Sequence, residues 1–345
     1  MKVDVLPVVS APSRPVSILL IRTDKIGDVL ISTPVFRALR SRFPDARIDV
    51  LLGRHNASMA SALAGWTIGS SVYDKSLLGT IRLLLSLRRS HEVVVDMMDN
   101  PSRTSSLLLR LLSPAFSVGF ANGRTYPVTR SVPVPDRSRV HIVECMTELL
   151  RPFGIDPETV DRRPSLPGLP AVFAPASIDI LVHLSAGKQS LWWGEENFRA
   201  LVKDLRTQYP RYRIALGSAP ADQSVAERVA IACGVDLLPS SRSVVEYATH
   251  MAQARMIVTP DTSVVHLASA VHRPSVVLYA KPHADRMVWL PYRTPCRPVI
   301  ATDDDGIMGI PVDRVTAAVT SLVAELDSGA VAPGSSAPEH SPPVA

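Results

Sequence analysis

The sequence predicts an α/β fold made of two units, each with a parallel sheet covered by helices. In both halves of the 345-residue chain, short apolar segments typical of buried strands alternate with longer segments of helical periodicity. Between the halves, the segment 156–175 is rich in proline, which predicts a break in regular structure. A chain of this length suits two domains that each bury a core.

The first half contains three predicted strands separated by helical stretches. These strands are Ser17–Arg22, Arg47–Leu52 and Glu92–Asp96. The segment Pro127–Arg139 contains three prolines and predicts irregular structure. The next segment, His141–Pro152, predicts a helix.

The second half repeats this alternation. Its predicted strands are Asp179–Leu184, Arg213–Gly217, Arg255–Thr259 and Ser275–Tyr279, and Val312–Leu326 predicts the last helix. The expected organisation is an N-terminal extension at 1–16, a first domain at 17–160, a linker at 161–175, a second domain at 176–327 and a disordered tail at 328–345.

The composition argues against several classes of function. The three cysteines are widely spaced, so we expect neither a disulfide framework nor a structural metal site, and a reducing cytoplasm is the expected compartment. The net charge of +5 comes with no nucleic-acid-binding motif and few aromatic residues. The N-terminus lacks the apolar core of a signal peptide, and no segment approaches the roughly 20 apolar residues of a membrane span. The expected partner is an anionic sugar phosphate or lipid.

A charged turn connects the first strand to the first helix. It contains Arg22, Asp24, Lys25 and Asp28, and Gly27 allows close approach of the backbone to a ligand. Open α/β sheets bind ligands where parallel strands end, and the first amides of a helix attract anions. Asp28 is therefore a candidate general base, and the alternative is a helix cap worth about 1 kcal/mol.

A second turn of this kind follows the predicted strand Met256–Thr259. The helix that starts at Thr262 has free amides that can hold a diphosphate, and Thr262 and Ser263 add hydroxyl donors. The Asp261 carboxylate can accept hydrogen bonds from sugar hydroxyls. His266 lies one turn further, either as a phosphate or turn-bracing contact or as a satisfied core histidine.

Two motifs resemble the signatures of one enzyme family. The run Arg22–Pro34, RTDKIGDVLISTP, resembles the N-terminal signature of the ADP-heptose:lipopolysaccharide heptosyltransferases, glycosyltransferase family 9. The run Pro260–Ala270, PDTSVVHLASA, is similar to the family's C-terminal signature. Weaker similarity is found at Val93–Arg103, Gly119–Arg124 and His141–Gly154, so the resemblance covers most of residues 17–326.

The resemblance implies a GT-B fold, in which two Rossmann-like domains face a cleft and bind the acceptor and the nucleotide-sugar respectively. It implies an inverting, metal-independent transfer of a heptose or related sugar, by default from ADP-heptose, to a bacterial cell-surface glycan such as lipopolysaccharide core. No cofactor is expected, and Asp28 is the implied general base. The implied donor-binding residues are Ser185, Lys188, Arg242, Asp261, Thr262, Ser263, His266 and Lys281. The candidates for binding a phosphorylated or acidic acceptor are Arg22, Lys25, Asn100, Arg103 and Arg124, with helix caps or solvated loops as the alternative.

Departures from the family's motifs leave further alternatives open. Lys188 is displaced relative to the family's lysine, and Gly194 stands where proline is usual. Either Lys188 assists the leaving diphosphate, or Lys281 substitutes for it, or catalysis is impaired. Ser263 replaces a glycine, which would alter the phosphate grip if the position needed a positive φ. Arg242 occupies a base-contacting loop that is usually apolar, so adenine is only the default base.

Other classes of function are weighed against transfer. A non-catalytic GT-B scaffold that binds a glycan or nucleotide-sugar is the main alternative. A dehydrogenase or epimerase is disfavoured because no G-x-G-x-x-G turn follows a strand. The acidic run Asp303–Asp305 follows no apolar strand and is interpreted as a solvated loop. The segment Ser76–Arg89 predicts a helix that packs on the sheet, rests on the anionic inner leaflet of the membrane, or does both.

Overall fold

The computed structural model describes residues 11–99, 103–121, 127–136, 139–170, 172–281 and 289–330. The chain divides into two compact units, Met1–Arg162 and Arg163–Ala345. Over the described residues each unit contains one six-stranded sheet in which all paired strands are parallel. The predicted α/β class is confirmed.

The first unit is a doubly wound sheet. Its elements in chain order are β1 (Ser17–Arg22), α1 (Ile26–Arg42), β2 (Arg47–Gly53), α2 (Met59–Ala64), β3 (Ile68–Tyr73), α3 (Leu77–Leu87), β4 (Val93–Asp96), α4 (Arg103–Leu112), β5 (Phe116–Phe120), β6 (Arg130–Val132) and α5 (Ile142–Thr147). The strand order is β3-β2-β1-β4-β5-β6. The chain leaves β1 in one direction and returns through α3 to β4 on its other side. The topological switch point, where such sheets bind ligands, therefore lies between the ends of β1 and β4.

The core of this unit is built around β1. All six residues of β1 are buried, as expected for a central strand covered on both faces. In the register, Ile18 pairs with Ile48 of β2 and Val93 of β4. Helices α3 and α4 pack on one face in a single cluster with Leu19 and Ile21. The charged turn after β1 therefore starts from a rigid base.

The second unit has the same winding. Its elements are β7 (Ile178–His183), α6 (Glu195–Gln208), β8 (Ile214–Gly217), α7 (Gln223–Cys233), β9 (Asp236–Leu237), α8 (Val244–Met251), β10 (Ala254–Pro260), α9 (Ser263–Ala270), β11 (Ser275–Tyr279), β12 (Cys296–Ile300) and α10 (Val312–Asp327). The strand order is β12-β11-β10-β7-β8-β9. The switch point lies between β7 and β10, which pair in register through Leu181 and Ile257. The loops that leave β7 and β10 are therefore neighbours.

The structure corrects the sequence-based elements in several places. The strand Arg130–Val132 lies inside the segment predicted to be irregular. The predicted helix His141–Pro152 is an α-helix only to Thr147 and continues as a 3₁₀ helix through Glu148–Phe153, because Pro152 cannot donate an α-helical hydrogen bond. The predicted disordered tail lies almost entirely outside the described residues.

Four of the strands that were not predicted, β3, β6, β9 and β12, lie at sheet edges. Strand β5 was also missed, although it is buried between β4 and β6. Strand β3 exposes Gly69 and Ser70, so its sequence lacks an apolar run. Strand β12 contains Pro298, which is tolerated because, in the part of the chain that the structure describes, β12 is an edge strand paired on one side with β11. These edge strands matter for the site because their loops end beside those of the central strands.

Candidate active site

Arg22, the last residue of β1, is buried at the switch point of the first unit. Its side chain is 0% exposed. The Nε atom donates a hydrogen bond to the main-chain oxygen of Asp28 at 3.0 Å, and Nη1 donates to the main-chain oxygen of Met97. The guanidinium therefore ties the end of β1 to the start of α1 and to the loop after β4.

Among the described residues, three carboxylates surround this guanidinium. The Arg22 nitrogens lie 3.5 Å from Asp28 Oδ1, 3.7 Å from Asp24 Oδ2 and 3.8 Å from Asp99 Oδ1. Burial raises the pKa of Asp24, and Arg22 opposes this shift while Asp28 and Asp99 reinforce it. The cluster thus contains one carboxyl group that holds a proton more readily than a free aspartate.

Asp28 is both a helix cap and a group that reaches the surface. It is the third residue of α1, and its Oδ2 accepts a hydrogen bond from the main-chain N–H of Lys25 at 2.8 Å. Its side chain remains 12% exposed. A carboxylate offers about four lone-pair positions, so these contacts leave capacity for an acceptor hydroxyl. The capping role and the predicted base role are therefore compatible.

The predicted acceptor-binding residues have different positions in the structure. Arg22 is enclosed by protein atoms, so the expectation that its guanidinium contacts the acceptor directly conflicts with its burial. Lys25 is exposed at the N-cap of α1. Asn100 and Arg124 lie outside the described residues, and of Arg103 only the backbone, at the first residue of α4, is described.

Three residues at the carboxyl edge of the first sheet were not among the predicted site residues. Asp24 and Asp99 join the Arg22 cluster, and Lys75 follows β3 with a φ of 64°. The charge of the Lys75 ammonium acts to lower the pKa of Asp24, so it contributes to the electrostatics of the cluster. A non-glycine residue in the left-handed region is uncommon and often found at functional sites. Lys75 was missed because β3 itself was not predicted.

The second turn lies at the switch point of the second unit. Thr262 is the N-cap of α9, and its Oγ1 accepts from the Val264 N–H at 3.3 Å. The Asp261 N–H donates to the Leu278 oxygen at 3.0 Å and fastens the turn to β11. Ser263 is the first helical residue and is not among the described residues of positive φ, so this backbone does not require glycine there.

The loop after β7 forms the other side of this switch point. Ser185 is buried, and its Oγ accepts from the Ala219 N–H at 2.7 Å, which joins the loops after β7 and β8. His183 lies at the end of β7 with its Nδ1 hydrogen-bonded to the Tyr247 hydroxyl. Burial lowers the pKa of His183 to about 3, so the imidazole is neutral at physiological pH. This neutral pair holds α8 against β7.

The segment around Lys188 is anchored by tryptophan. Lys188 is exposed and precedes a 3₁₀ turn at Gln189–Leu191. The Trp193 side chain is fully buried, and its indole N–H donates to the Ile310 oxygen at 2.9 Å. Gly194 has a φ of 97°, which proline cannot adopt. The replacement of proline by Gly194 is thus matched to the backbone of this chain.

The second candidate lysine is paired. Lys281 Nζ lies 3.3 Å from Asp304 Oδ1, and both side chains are largely exposed. Exposed pairs of this kind contribute about 0–1 kcal/mol, so a diphosphate could displace Asp304. The acidic run Asp303–Asp305 therefore supplies a surface counter-ion for Lys281.

The remaining donor candidates differ in exposure. Arg242 is exposed, and its main-chain N–H donates to Glu246 Oε2 at 2.6 Å just before α8. His266 is buried on α9, with its ring centroid 6.3 Å from that of Trp289.

Within the described ranges, no group of three or more His, Cys, Asp or Glu side chains is arranged to hold a metal ion. In that same part of the chain, no helix has the length and apolar character needed to cross a bilayer.

Two doubly wound parallel units, each with polar side chains at its switch point, form the architecture of the GT-B glycosyltransferases. A family model described as glycosyltransferase family 9 (heptosyltransferase) matches residues 80–298. The chain belongs to this family and is a glycosyltransferase. The matched range includes the turn at Asp261 and begins after the turn that holds Asp28.

Known proteins agree with this assignment over most of the chain. Lipopolysaccharide heptosyltransferase 3 of Escherichia coli is 23% identical over 292 residues, covering 77% of this chain and 83% of the relative. The structure of E. coli heptosyltransferase WaaC with ADP-2-deoxy-2-fluoro heptose has a TM-score of 0.68 at 19% identity, covering 90% of this chain and 99% of that chain. TibC from enterotoxigenic E. coli H10407, described as an iron-containing dodecameric glycosyltransferase, has a TM-score of 0.50 at 14% identity, covering 92% of this chain and 77% of that chain. The structural likenesses support the GT-B fold.

Proposed function

We propose that this glycosyltransferase moves a heptose, or a related sugar, from ADP-heptose to a lipopolysaccharide-core acceptor, with inversion and without a metal. The observation that carries the proposal is the Asp28 carboxylate, largely buried but with 12% of its side chain exposed, held at a switch point by the buried Arg22. The names of two relatives support the substrates, since one is a lipopolysaccharide heptosyltransferase and the other was solved with an ADP-heptose analogue.

The proposed reaction is a direct displacement at the anomeric carbon. The acceptor oxygen forms a bond to that carbon while the bond from the carbon to the β-phosphate oxygen breaks. Asp28 takes the proton from the acceptor hydroxyl as the new bond forms, and ADP departs with the bonding electron pair. Attack on the face opposite the leaving group inverts the configuration.

Arg22 has a positioning role in this proposal rather than direct contact with the acceptor. The Arg22 guanidinium donates to the main-chain oxygen of Asp28 through Nε, and its Nη2 lies near the Asp28 carboxylate. Because the guanidinium is planar and rigid, these contacts restrict the orientation of the carboxylate. Lys25, which is exposed beside it, is proposed to attract an anionic acceptor together with Asn100, Arg103 and Arg124.

The donor is proposed to bind at the switch point of the second unit. The first amides of α9, together with the hydroxyls of Thr262 and Ser263, would hold the diphosphate, because a helix N-terminus favours anions. Asp261 would accept hydrogen bonds from sugar hydroxyls. Lys188 or Lys281 would offset the charge of departing ADP, so the transfer needs no metal for that purpose. The remaining donor residues in the proposal are Ser185, Arg242 and His266.

The cytoplasm is the proposed location, because the few, widely spaced cysteines suit a reducing compartment.

The function can be tested by incubating the purified full-length chain with ADP-heptose and a heptose-deficient lipopolysaccharide core in the presence of EDTA. The expected result is release of ADP and a gain of one heptose mass on the acceptor. A panel of other nucleotide-sugars tests the donor. Nucleotide-sugar binding without transfer from any donor would instead support a non-catalytic scaffold.

A further inference from the structure

Helices α3 and α4 expose large apolar side chains that do not pack into the hydrophobic core. On α3, Leu85 is 78% exposed, and Leu78 and Ile81 share its face because they lie three or four residues apart. On α4, Leu107 and Leu111 are exposed one turn apart. Single exposed leucines are common on proteins, whereas a group on adjacent helices marks an interaction surface.

The two helices form one continuous surface. Their opposite sides pack into the same core cluster, through Leu83 and Leu87 of α3 and Leu108 of α4. Both helices start after parallel strands, so they run in the same direction across the sheet. The main-chain N–H that follows α3, at Arg89, donates to the Leu112 oxygen at the end of α4, at 3.0 Å. The exposed faces therefore lie side by side and point away from the sheet.

This surface is also basic. Arg82 on α3, Arg88 and Arg89 directly after it, and Arg110 on α4 are exposed, and neither helix contains an acidic residue. Two copies packed face to face would bring these arginines together without a counter-charge. Anionic lipid headgroups would instead pair with the arginines while the leucines enter the boundary with the acyl chains.

We propose that the α3–α4 surface, formed by Leu78, Ile81, Leu85, Leu107, Leu111, Arg82, Arg88, Arg89 and Arg110, docks on an anionic phospholipid bilayer. Both helices begin at the carboxyl edge of the sheet, the edge that carries Asp28 and Asp99. Docking through this surface would bring the candidate base close to the headgroup region. The docking itself needs no sugar transfer, so it can be tested separately from the proposed activity.

The test is co-sedimentation of the full-length chain with vesicles of phosphatidylcholine alone and of phosphatidylcholine with phosphatidylglycerol. Wild-type protein is expected to sediment only with the anionic vesicles and to be released at high salt. The double variant Arg82→Ser/Arg110→Ser should bind roughly 25-fold more weakly, since each arginine contributes about fivefold. The double variant Leu78→Ser/Leu85→Ser should bind at least roughly tenfold more weakly.

Matched controls come from the other unit. Ile231 on α7 is 82% exposed, and Arg211 is an exposed arginine. Ile231→Ser and Arg211→Ser should sediment like wild type, and circular dichroism should show that every variant is folded. Three outcomes would overturn the proposal. The control variants lose as much vesicle binding as the α3–α4 variants, the wild type binds neutral vesicles as well as anionic ones, or the wild type binds no vesicles. A wild-type dimer that Leu78→Ser/Leu85→Ser dissociates, without vesicle binding, would assign the surface to a second copy of the chain.

Discussion

The guanidinium of Arg22 lies 3.5 Å from the carboxylate of Asp28 and also binds the main-chain oxygen of the same residue at 3.0 Å. Arg22 ends β1, whereas Asp28 is the third residue of α1. One buried cation therefore fixes both the backbone and the side chain of the candidate base. A substitution of Arg22 should therefore alter the rate of sugar transfer by displacing Asp28.

The first prediction concerns the geometry of this cation. Arg22→Lys keeps the charge but loses the planar fork, so we expect kcat to fall by about tenfold or more while ADP affinity stays unchanged. Arg22→Met leaves buried carboxylates without their counter-charge and should lower the free energy of unfolding by about 3–5 kcal/mol. Steady-state transfer, calorimetry with ADP and urea unfolding measure these quantities.

Arg273 provides the control for Arg22. It is also buried, in the second unit, where it donates to the Ala252 oxygen at 2.6 Å. Arg273→Lys should also lower the free energy of unfolding. For the same loss of stability, however, kcat should fall less than in Arg22→Lys. If both lysine variants reduce kcat in proportion to stability, Arg22 has only a structural role.

The second prediction concerns pH and Asp24. Because burial raises the pKa of Asp24 in the folded state, the folded protein binds this proton more tightly than the unfolded chain. Its contribution to stability is therefore fully present below the unfolded pKa and is lost as pH rises through the folded pKa. Asp24→Asn mimics the protonated form, so it should be more stable than wild type at pH 7, with the difference vanishing at about pH 3. Urea unfolding at both pH values measures this.

Asp74 supplies a control of opposite sign. Hydrogen bonds from Ser76 lower the pKa of Asp74, so its contribution is present above the unfolded pKa and is lost as pH falls through the folded one. Asp74→Asn should therefore be less stable than wild type at pH 7. An Asp24→Asn variant that behaves like Asp74→Asn would contradict the unfavourable burial of the Asp24 charge.

The third prediction separates capping from donor binding. Thr262 caps α9 and Ser76 caps α3, each by accepting a main-chain N–H. Either residue changed to alanine should cost about 1 kcal/mol of stability. Only Thr262→Ala should weaken ADP binding, because its turn lies at the switch point of the second unit. Calorimetry with ADP on both variants tests this, and equal affinities would move the donor site elsewhere.

The fourth prediction assigns the lysine that assists the leaving group. Lys281 is paired with Asp304, whereas Lys188 is exposed at the end of its loop. We expect Lys188→Ala to weaken ADP binding by about tenfold to a hundredfold, since a charge-assisted contact is worth about 1.5–3 kcal/mol. Lys281→Ala should have little effect. The reverse pattern, together with tighter ADP binding by Asp304→Asn, would assign the role to Lys281.

The sequence contains enough information for most central strands but less for the edges, and the buried interior strand β5 was also missed. Strands β1 and β11 were predicted with their observed ends, because continuous apolar segments bounded by turns are typical of strands buried on both faces. Strands β3 and β12 were missed because edge strands carry polar residues or proline. The motif turns could be placed because each directly follows a predicted central strand.

The composition of the Arg22 cluster could not be predicted in the same way. Arginine is seldom fully buried, and Arg22 was predicted to bind the acceptor rather than to be enclosed by protein atoms. Its burial depends on the Met97 oxygen and the Asp99 carboxylate, which come from the loop after β4. That contact exists because β4 pairs with β1, a long-range neighbour relationship that local periodicity does not encode.

The most direct test of the account is Asp28→Asn, measured by single-turnover transfer together with ADP affinity. The asparagine oxygen can still accept the Lys25 N–H, so the cap and the fold should be retained, whereas the amide cannot take the acceptor proton. We predict unchanged ADP affinity and a transfer rate lower by about two orders of magnitude or more. A variant that transfers sugar at the wild-type rate would show that Asp28 only caps α1.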